Sequence, residues 1–368
     1  MSIVTFVYLI GGFILLVLGA EVLVRGAARL AARFGISPLI IGLTVVAFGT
    51  SAPEMAVSTQ SAFLGQGDIA IGNVIGSNIF NVLVVLGLSA LITPLLVSRQ
   101  LVRFDVPIMI AAGFLAWFLA LDGSYSRLDG LILFACIVTY TGYLIVSSLR
   151  AWRPGQAADI DDEYSAQVNP HRFASLINTA YILAGLALLV GGSNLLVTGA
   201  VSLAQALGLS ELVIGLTIIA VGTSLPELAT SLIAAWKGER DIAVGNIVGS
   251  NLFNLLAVLG LAGLVSPEKI AIAQSAIDFD FPVMLAVQVA CLPIFFAGYR
   301  ISRWEGALFL GYYVAYTAYL IMQSKGDTFA NAFADAMLGY VVPLTAITLL
   351  VIAARAWRIQ RGLPIDSN

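Results

Sequence analysis

The sequence predicts an all-α polytopic membrane protein: a core of two inverted five-helix repeats, with one extra C-terminal transmembrane helix. Three observations predict this. The 368 residues are 60% hydrophobic and 11% charged, with a mean hydropathy of +0.97, whereas soluble domains average roughly 45–50% apolar and about 25% charged. Stretches such as Val4–Leu18, Leu131–Val146 and Val341–Ala354 run almost without a polar break, while barrel strands alternate polar and apolar residues. Finally, one long segment occurs twice.

Apolar runs read against their flanks predict eleven spans, near residues 3–24, 38–64, 69–97, 105–122, 128–149, 173–197, 211–236, 242–265, 281–298, 306–323 and 337–354. Lys and Arg collect in cytoplasmic loops. One set of alternating loops holds Arg25, Arg29, Arg33, Arg99, Arg103, Arg150, Arg153, Arg172, Lys237, Arg240, Arg300, Arg303, Arg355, Arg358 and Arg361. The other holds Arg127, Lys269 and Lys325, which completes the 18 basic residues. The N-terminus is therefore expected outside and the C-terminus inside, in a plasma or inner membrane. The expected organisation is a first repeat over 1–149, a cytoplasmic linker over 150–172, a second repeat over 173–323, and the extra helix with its tail over 324–368.

A net charge of −3 offers no basic surface on the scale nucleic acid demands. Cys136 and Cys291 fall inside apolar spans and read as buried thiols. The first residues lack the basic region of a signal peptide and read as a true first span. The linker cannot bury a core of its own, and His171, the single histidine, has no matching ligand nearby and receives no catalytic role.

The repeat carries the chemistry. Residues 42–87 read GLTVVAFGTSAPEMAVSTQSAFLGQGDIAIGNVIGSNIFNVLVVLG. Residues 215–260 read GLTIIAVGTSLPELATSLIAAWKGERDIAVGNIVGSNLFNLLAVLG, with 27 of 46 positions identical, without a gap, at an offset of 173. Weaker echoes extend the unit: Phe104-Asp105 and Pro107 recur as Phe279-Asp280 and Pro282, and Tyr140 and Tyr143 as Tyr316 and Tyr319. Five spans per unit is an odd number, so the second copy enters the membrane from the opposite side. Inverted repeats are common in secondary transporters, whose sites lie near the midplane where the halves meet.

Glu54 and Glu227 stand about halfway along their spans, where an unpaired carboxylate costs several kcal/mol. Each follows Gly-Thr-Ser-x-Pro, and the proline removes a backbone donor and frees carbonyls. Such backbone is tolerated in a membrane only inside protein or along a polar cavity, and carbonyls beside carboxylates suit a hard cation. Thr50 and Glu54, like Thr223 and Glu227, are spaced i, i+4. On the next helix Asn73, Ser77 and Asn81 form one polar stripe, repeated by Asn246, Ser250 and Asn254. The four helices are expected to enclose a small oxygen-lined cavity with two negative charges.

Other repeated residues have structural readings. Gly72 and Gly76, with Gly245 and Gly249, read as packing contacts. Asp68 and Asp241 read as N-caps, and Asn73 and Asn246 read equally as props for the broken helices. Glu21, whose counterpart is Asn194, reads as a capping or snorkelling residue at a membrane edge.

The paired GTSAPE and GTSLPE motifs, each followed by GNxxGSNxFN, resemble the two alpha repeats of the cation/calcium antiporter superfamily, in its sodium/calcium exchanger branch. The resemblance covers the ten-span core. It implies that Glu54 and Glu227 are shared ligands for Ca2+ and Na+. It also implies that Ala47 and Ala220 offer backbone carbonyls, Thr50 and Thr223 carbonyls and hydroxyls, Ser51, Ser224, Ser77 and Ser250 side-chain oxygens, and that Asn81 and Asn254 face the central position. Some members, potassium-dependent ones among them, carry an aspartate where this chain has Asn254, so potassium dependence is not expected.

The expected function is antiport of Ca2+ against Na+ by alternating access, without a cofactor and without enzymatic activity. Antiport against protons is the same-class alternative, since two protons also neutralise the carboxylates. A channel would conduct without a counter-ion. An acid-pair enzyme would need a pocket larger than a bare ion.

Overall fold

The computed structural model describes residues 3–34, 36–151, 174–206, 220–324 and 329–360. Most of the linker, His171 and the first half of the 211–236 span lie outside them. The first repeat comprises α1 (Ile3–Phe34), α2 (Pro38–Thr50), α3 (Ala52–Phe63), α4 (Gly67–Ile92), α5 (Leu101–Ala120) and α6 (Arg127–Ala151). The second comprises α7 (Ala174–Ala206), α8 (Ala220–Gly222), α9 (Leu225–Trp236), α10 (Arg240–Val265), α11 (Ala276–Phe296) and α12 (Arg303–Ser324). A last helix, α13, covers 329–360. Eight of these helices are long and apolar enough to cross a membrane, and the α2–α3 pair, bent by 47°, makes a ninth.

α1 continues to Phe34, ten residues past the expected end of the span. The apolar run marks only the part in hydrocarbon, while Arg25, Arg29 and Arg33 extend the helix beyond it, since arginine is a good helix former. α1 and α7 form an antiparallel pair joined by a glycine seam. A Cβ on Gly12 or Gly19 would stand 2.6 or 2.8 Å from the backbone nitrogen of Leu196 or Leu189, and one on Gly185 or Gly192 would stand 2.6 or 2.8 Å from that of Leu23 or Leu16. Spaced by seven, these glycines put backbone against backbone along the whole pair.

Two short ribbons tie the repeats together at opposite ends. β1 (Leu95–Leu96) pairs with β4 (Arg300–Ile301), and β2 (Ser124–Tyr125) pairs with β3 (Ile270–Ala271). In both sequence repeats a π turn opens the corresponding helix, Leu101–Asp105 in α5 and Ala276–Asp280 in α11, ahead of Pro107 and Pro282. The echoed residues meet there: the Tyr140 hydroxyl donates to Asp105 Oδ1 at 2.9 Å and the Tyr316 hydroxyl to Asp280 Oδ1 at 3.0 Å. Each pair pins a π turn to the neighbouring helix.

Two structural readings of the sequence need correction. Asp68 and Asp241 lie in the first turns of α4 and α10, where they favour the helix dipole, but Gln66 and Glu239 occupy the cap positions. Gly245 and Gly249 do pack, against Leu39 and Leu43 of α2, whereas the segment that would meet Gly72 and Gly76 in the same way, around residues 212–216, lies outside the described residues. Cys291 is buried, but Cys136 is only half-buried.

α13 lies at the periphery, with 6% of its most apolar window buried. It is tied to α12 by the Tyr312 hydroxyl, which donates to Thr345 Oγ1 at 2.6 Å. Truncation after residue 326 should therefore leave any exchange of the kind the sequence leads one to expect above background in reconstituted protein, and its complete loss in a folded truncation would contradict a peripheral role.

Candidate functional site

Glu54 and Glu227 lie in the first turns of α3 and α9 and are completely buried. Each carboxylate is held by a hydroxyl from the other repeat. Glu54 Oε1 accepts from Ser224 Oγ at 2.8 Å, and Glu227 Oε1 accepts from Ser51 Oγ at 3.0 Å. Ser77 adds a longer bond to Glu54 Oε1 at 3.4 Å and lies 3.0 Å from Ser224. The site is thus shared between the halves, and neither repeat can build it alone.

The polar stripes serve as supports as well as lining. Asn73 donates to Ser58 Oγ at 2.9 Å and to the Glu54 carbonyl at 3.4 Å. Asn246 donates to Ser231 Oγ at 2.9 Å and to the Glu227 carbonyl at 3.5 Å. Their amide oxygens accept from the opposite repeat, Asn246 from Thr50 at 3.0 Å and Asn73 from Thr223 at 3.1 Å. Ser250 lies 3.4 Å from the Thr50 hydroxyl. Asn73 and Asn246 are therefore the props of the broken helices, and Thr50, Ser51, Thr223, Ser224, Ser77 and Ser250 surround the carboxylates.

The breaks themselves are chemically specific. Pro226 cannot donate to Gly222, and that freed carbonyl accepts from Ser193 of α7 at 2.5 Å. The Ala47 carbonyl is less free than the motif implies: Ser51 N–H donates to it at 3.0 Å and the Thr50 hydroxyl at 3.4 Å. Ala220 opens the short α8 segment just before the second break.

Four side chains at the centre carry atoms left without partners. Glu54 Oε2, Glu227 Oε2 and both amide atoms of Asn81 and of Asn254 are buried, yet no protein group among the described residues hydrogen-bonds them. An unpaired buried polar group costs about 1–3 kcal/mol, and more when charged, so a ligand that these oxygens share would stabilise the arrangement. Two carboxylates among hydroxyl and amide oxygens suit a hard cation. Among the described residues no three His, Cys, Asp or Glu side chains cluster as a fixed metal centre would require.

Some of the site's supports were not read from the sequence. π turns at Asn81–Leu86 and Phe253–Val258 follow the Ser77 and Ser250 turns in both copies; such turns recur at functional sites because they loosen the helix ladder. Behind the site, Gln288 Nε2 donates to Asn78 Oδ1 at 3.4 Å, and Asn251 Nδ2 approaches Met109 Sδ at 3.5 Å. Asn78 and Asn251 belong to the repeated GSN motif, which was the available signal; Gln288 is unrepeated and gave none.

Comparison with known proteins gives one consistent result. The sequence model described as sodium/calcium exchanger protein matches residues 4–148 and 177–322, one stretch in each repeat. The inner membrane protein YrbG of Escherichia coli K12 is 38% identical over 283 residues, covering 76% of this chain and 85% of YrbG. The sodium/calcium exchanger MaX1 of Methanosarcina acetivorans is 32% identical over 348 residues, covering 86% of this chain and 98% of its own length. The structure of the sodium-calcium exchanger NCX_Mj soaked with zero Na+ and Ca2+ superposes with a TM-score of 0.74 at 31% identity, covering 87% of this chain and all of that one. With the matched segments lying in the two halves that build the buried carboxylate site, this integral membrane chain belongs to the sodium/calcium exchanger family, a family of cation antiporters.

Proposed function

We propose that the protein exchanges Ca2+ for Na+ by alternating access, with the halves 1–149 and 173–323 as the two exchanging units. The supporting observation is the set of buried, unpartnered oxygens of Glu54, Glu227, Asn81 and Asn254 between the repeats. Empty, the site carries two carboxylates through a closed and water-excluded state, which is costly. One Ca2+ neutralises the pair, and Na+ ions do so in turn, so occupied states switch more readily than the empty one. The proposed ligands are Glu54, Glu227, the hydroxyls of Thr50, Ser51, Ser77, Thr223, Ser224 and Ser250, the amides of Asn81 and Asn254, and the carbonyls of Ala47, Thr50, Ala220 and Thr223. Calcium fits better than magnesium because a flexible set of oxygens accepts it, while magnesium gives up its waters reluctantly.

The bias of basic residues in the loops supports an outside N-terminus and a cytoplasmic C-terminus. Sodium in preference to protons is supported by the motif wording and by the relative MaX1, whose name is sodium/calcium exchanger. The test is isotope uptake. Sodium-loaded proteoliposomes diluted into sodium-free, potassium-free medium should accumulate Ca2+, a sodium ionophore should abolish the uptake, and a protonophore should leave most of it. Full accumulation driven by a proton gradient, with none driven by sodium, would replace this reading with calcium/proton exchange.

A further inference from the structure

The repeats are not equivalent in charge at their ends. Lys237, in the turn between α9 and α10, lies 3.0 Å from Glu21 Oε1 of α1, and Arg25 completes a trio by pairing with the same oxygen. The first bond joins α1 to the α9–α10 turn, whereas the second lies within α1. At the pseudo-equivalent positions in the other repeat stand Asn194 and Leu64, which are exposed and cannot form an ion pair. Among the described residues, the ionic contact therefore has no counterpart on the other face.

Among the described residues, the same face is the more tightly packed one. There Gly245 and Gly249 of α10 pack directly on the α2 backbone, and Asn246 is completely buried. On the opposite face, where the counterpart of the first part of α2 lies outside the described residues, Gly72 is exposed and Asn73 is only half-buried. α1 packs along α9, whereas its counterpart α7 makes little contact with α3 among the described residues. The tightly seamed α1–α7 pair thus leans onto the half of the core that carries Lys237, and Glu21 is its charged contact there.

We propose that Glu21 and Lys237 form a one-sided ionic latch that holds the α9–α10 face closed and gives the two access states unequal populations. The proposal rests on the alternating-access reading above, under which this face is cytoplasmic. An interaction present in one state and absent in the other shifts the equilibrium by its own free energy. Because Lys237 and Glu21 are partly exposed, with side-chain exposures of 19% and 34%, the pair is worth up to about 1 kcal/mol, or about a fivefold change in the ratio of the two states at 1.4 kcal/mol per factor of ten.

Cysteine labelling tests the latch separately from transport. In full-length, reconstituted protein lacking Cys136 and Cys291, Leu43→Cys reports the closed face at the Gly245 and Gly249 seam, and Gly72→Cys reports the open one. Glu21→Gln and Lys237→Met should each raise Leu43→Cys labelling by a water-soluble thiol reagent about two- to fivefold and lower that of Gly72→Cys. The double variant should do no more than either single change. Arg25→Gln, which touches only the bond internal to α1, should leave both rates near wild type. The paired change Asn194→Glu with Leu64→Lys installs a counterpart latch and should move both rates the opposite way. Unchanged labelling in Glu21→Gln and Lys237→Met, or additive effects in the double variant, would overturn the latch even if calcium exchange is intact. Absent exchange by wild-type protein would instead remove the transport reading and leave the labelling result to stand by itself.

Discussion

Calcium uptake by Glu54→Gln and by Glu227→Gln proteins should fall to background, each by itself, while insertion and folding stay normal. Glutamine keeps the shape of the side chain and its ability to accept from Ser224 or Ser51, so the helix breaks should survive. What disappears is half of the negative charge that a divalent ion must find in a buried site. In such surroundings a cation is held by charge far more than by dipoles. A loss of at least about 100-fold is expected, equivalent to about 2.7 kcal/mol. Near-normal uptake by a well-folded Glu54→Gln protein would contradict the ligand assignment.

A second large effect is expected at the seam between α1 and α7. Gly185→Val should lower the unfolding midpoint of detergent-purified protein and reduce the yield of assembled protein. Its Cβ would meet the Leu23 nitrogen at 2.6 Å and the Gly19 carbonyl at 2.8 Å, both backbone atoms that cannot rotate away. Overpacking of this kind costs about 1–3 kcal/mol, occasionally more. Gly191→Val, where nothing lies within 4 Å of the added carbon, is the matched control and should melt near wild type. Equal midpoints for the two variants would show that the close approach is not structurally required.

The helices and the placing of the buried carboxylates were legible in the sequence for different reasons. Uninterrupted apolar runs announce spans because lipid excludes unsatisfied backbone, and the repeated Gly-Thr-Ser-x-Pro-Glu pattern announces a break beside a charge that only a ligand could justify. The i, i+4, i+8 stripe correctly brought Asn73, Ser77 and Asn81 toward the broken helices. It could not separate props from lining, because that depends on which atom each amide spends on a neighbour: Asn73 uses both ends, while Asn81 uses neither. The exchange of hydroxyls, Ser51 to Glu227 and Ser224 to Glu54, joins residues far apart in the chain and has no local signature. Likewise Glu21 looked like an edge residue because its partner, Lys237, is 216 residues away in sequence.

The most direct test of a cation site shared by the two repeats is equilibrium Ca2+ binding to purified protein in sodium-free buffer, followed by titration with Na+. Wild-type protein should bind Ca2+ and release it as Na+ rises, while the Glu54→Gln/Glu227→Gln double variant should bind none. Undiminished Ca2+ binding by a folded double variant, or binding by wild type that Na+ does not displace, would contradict it.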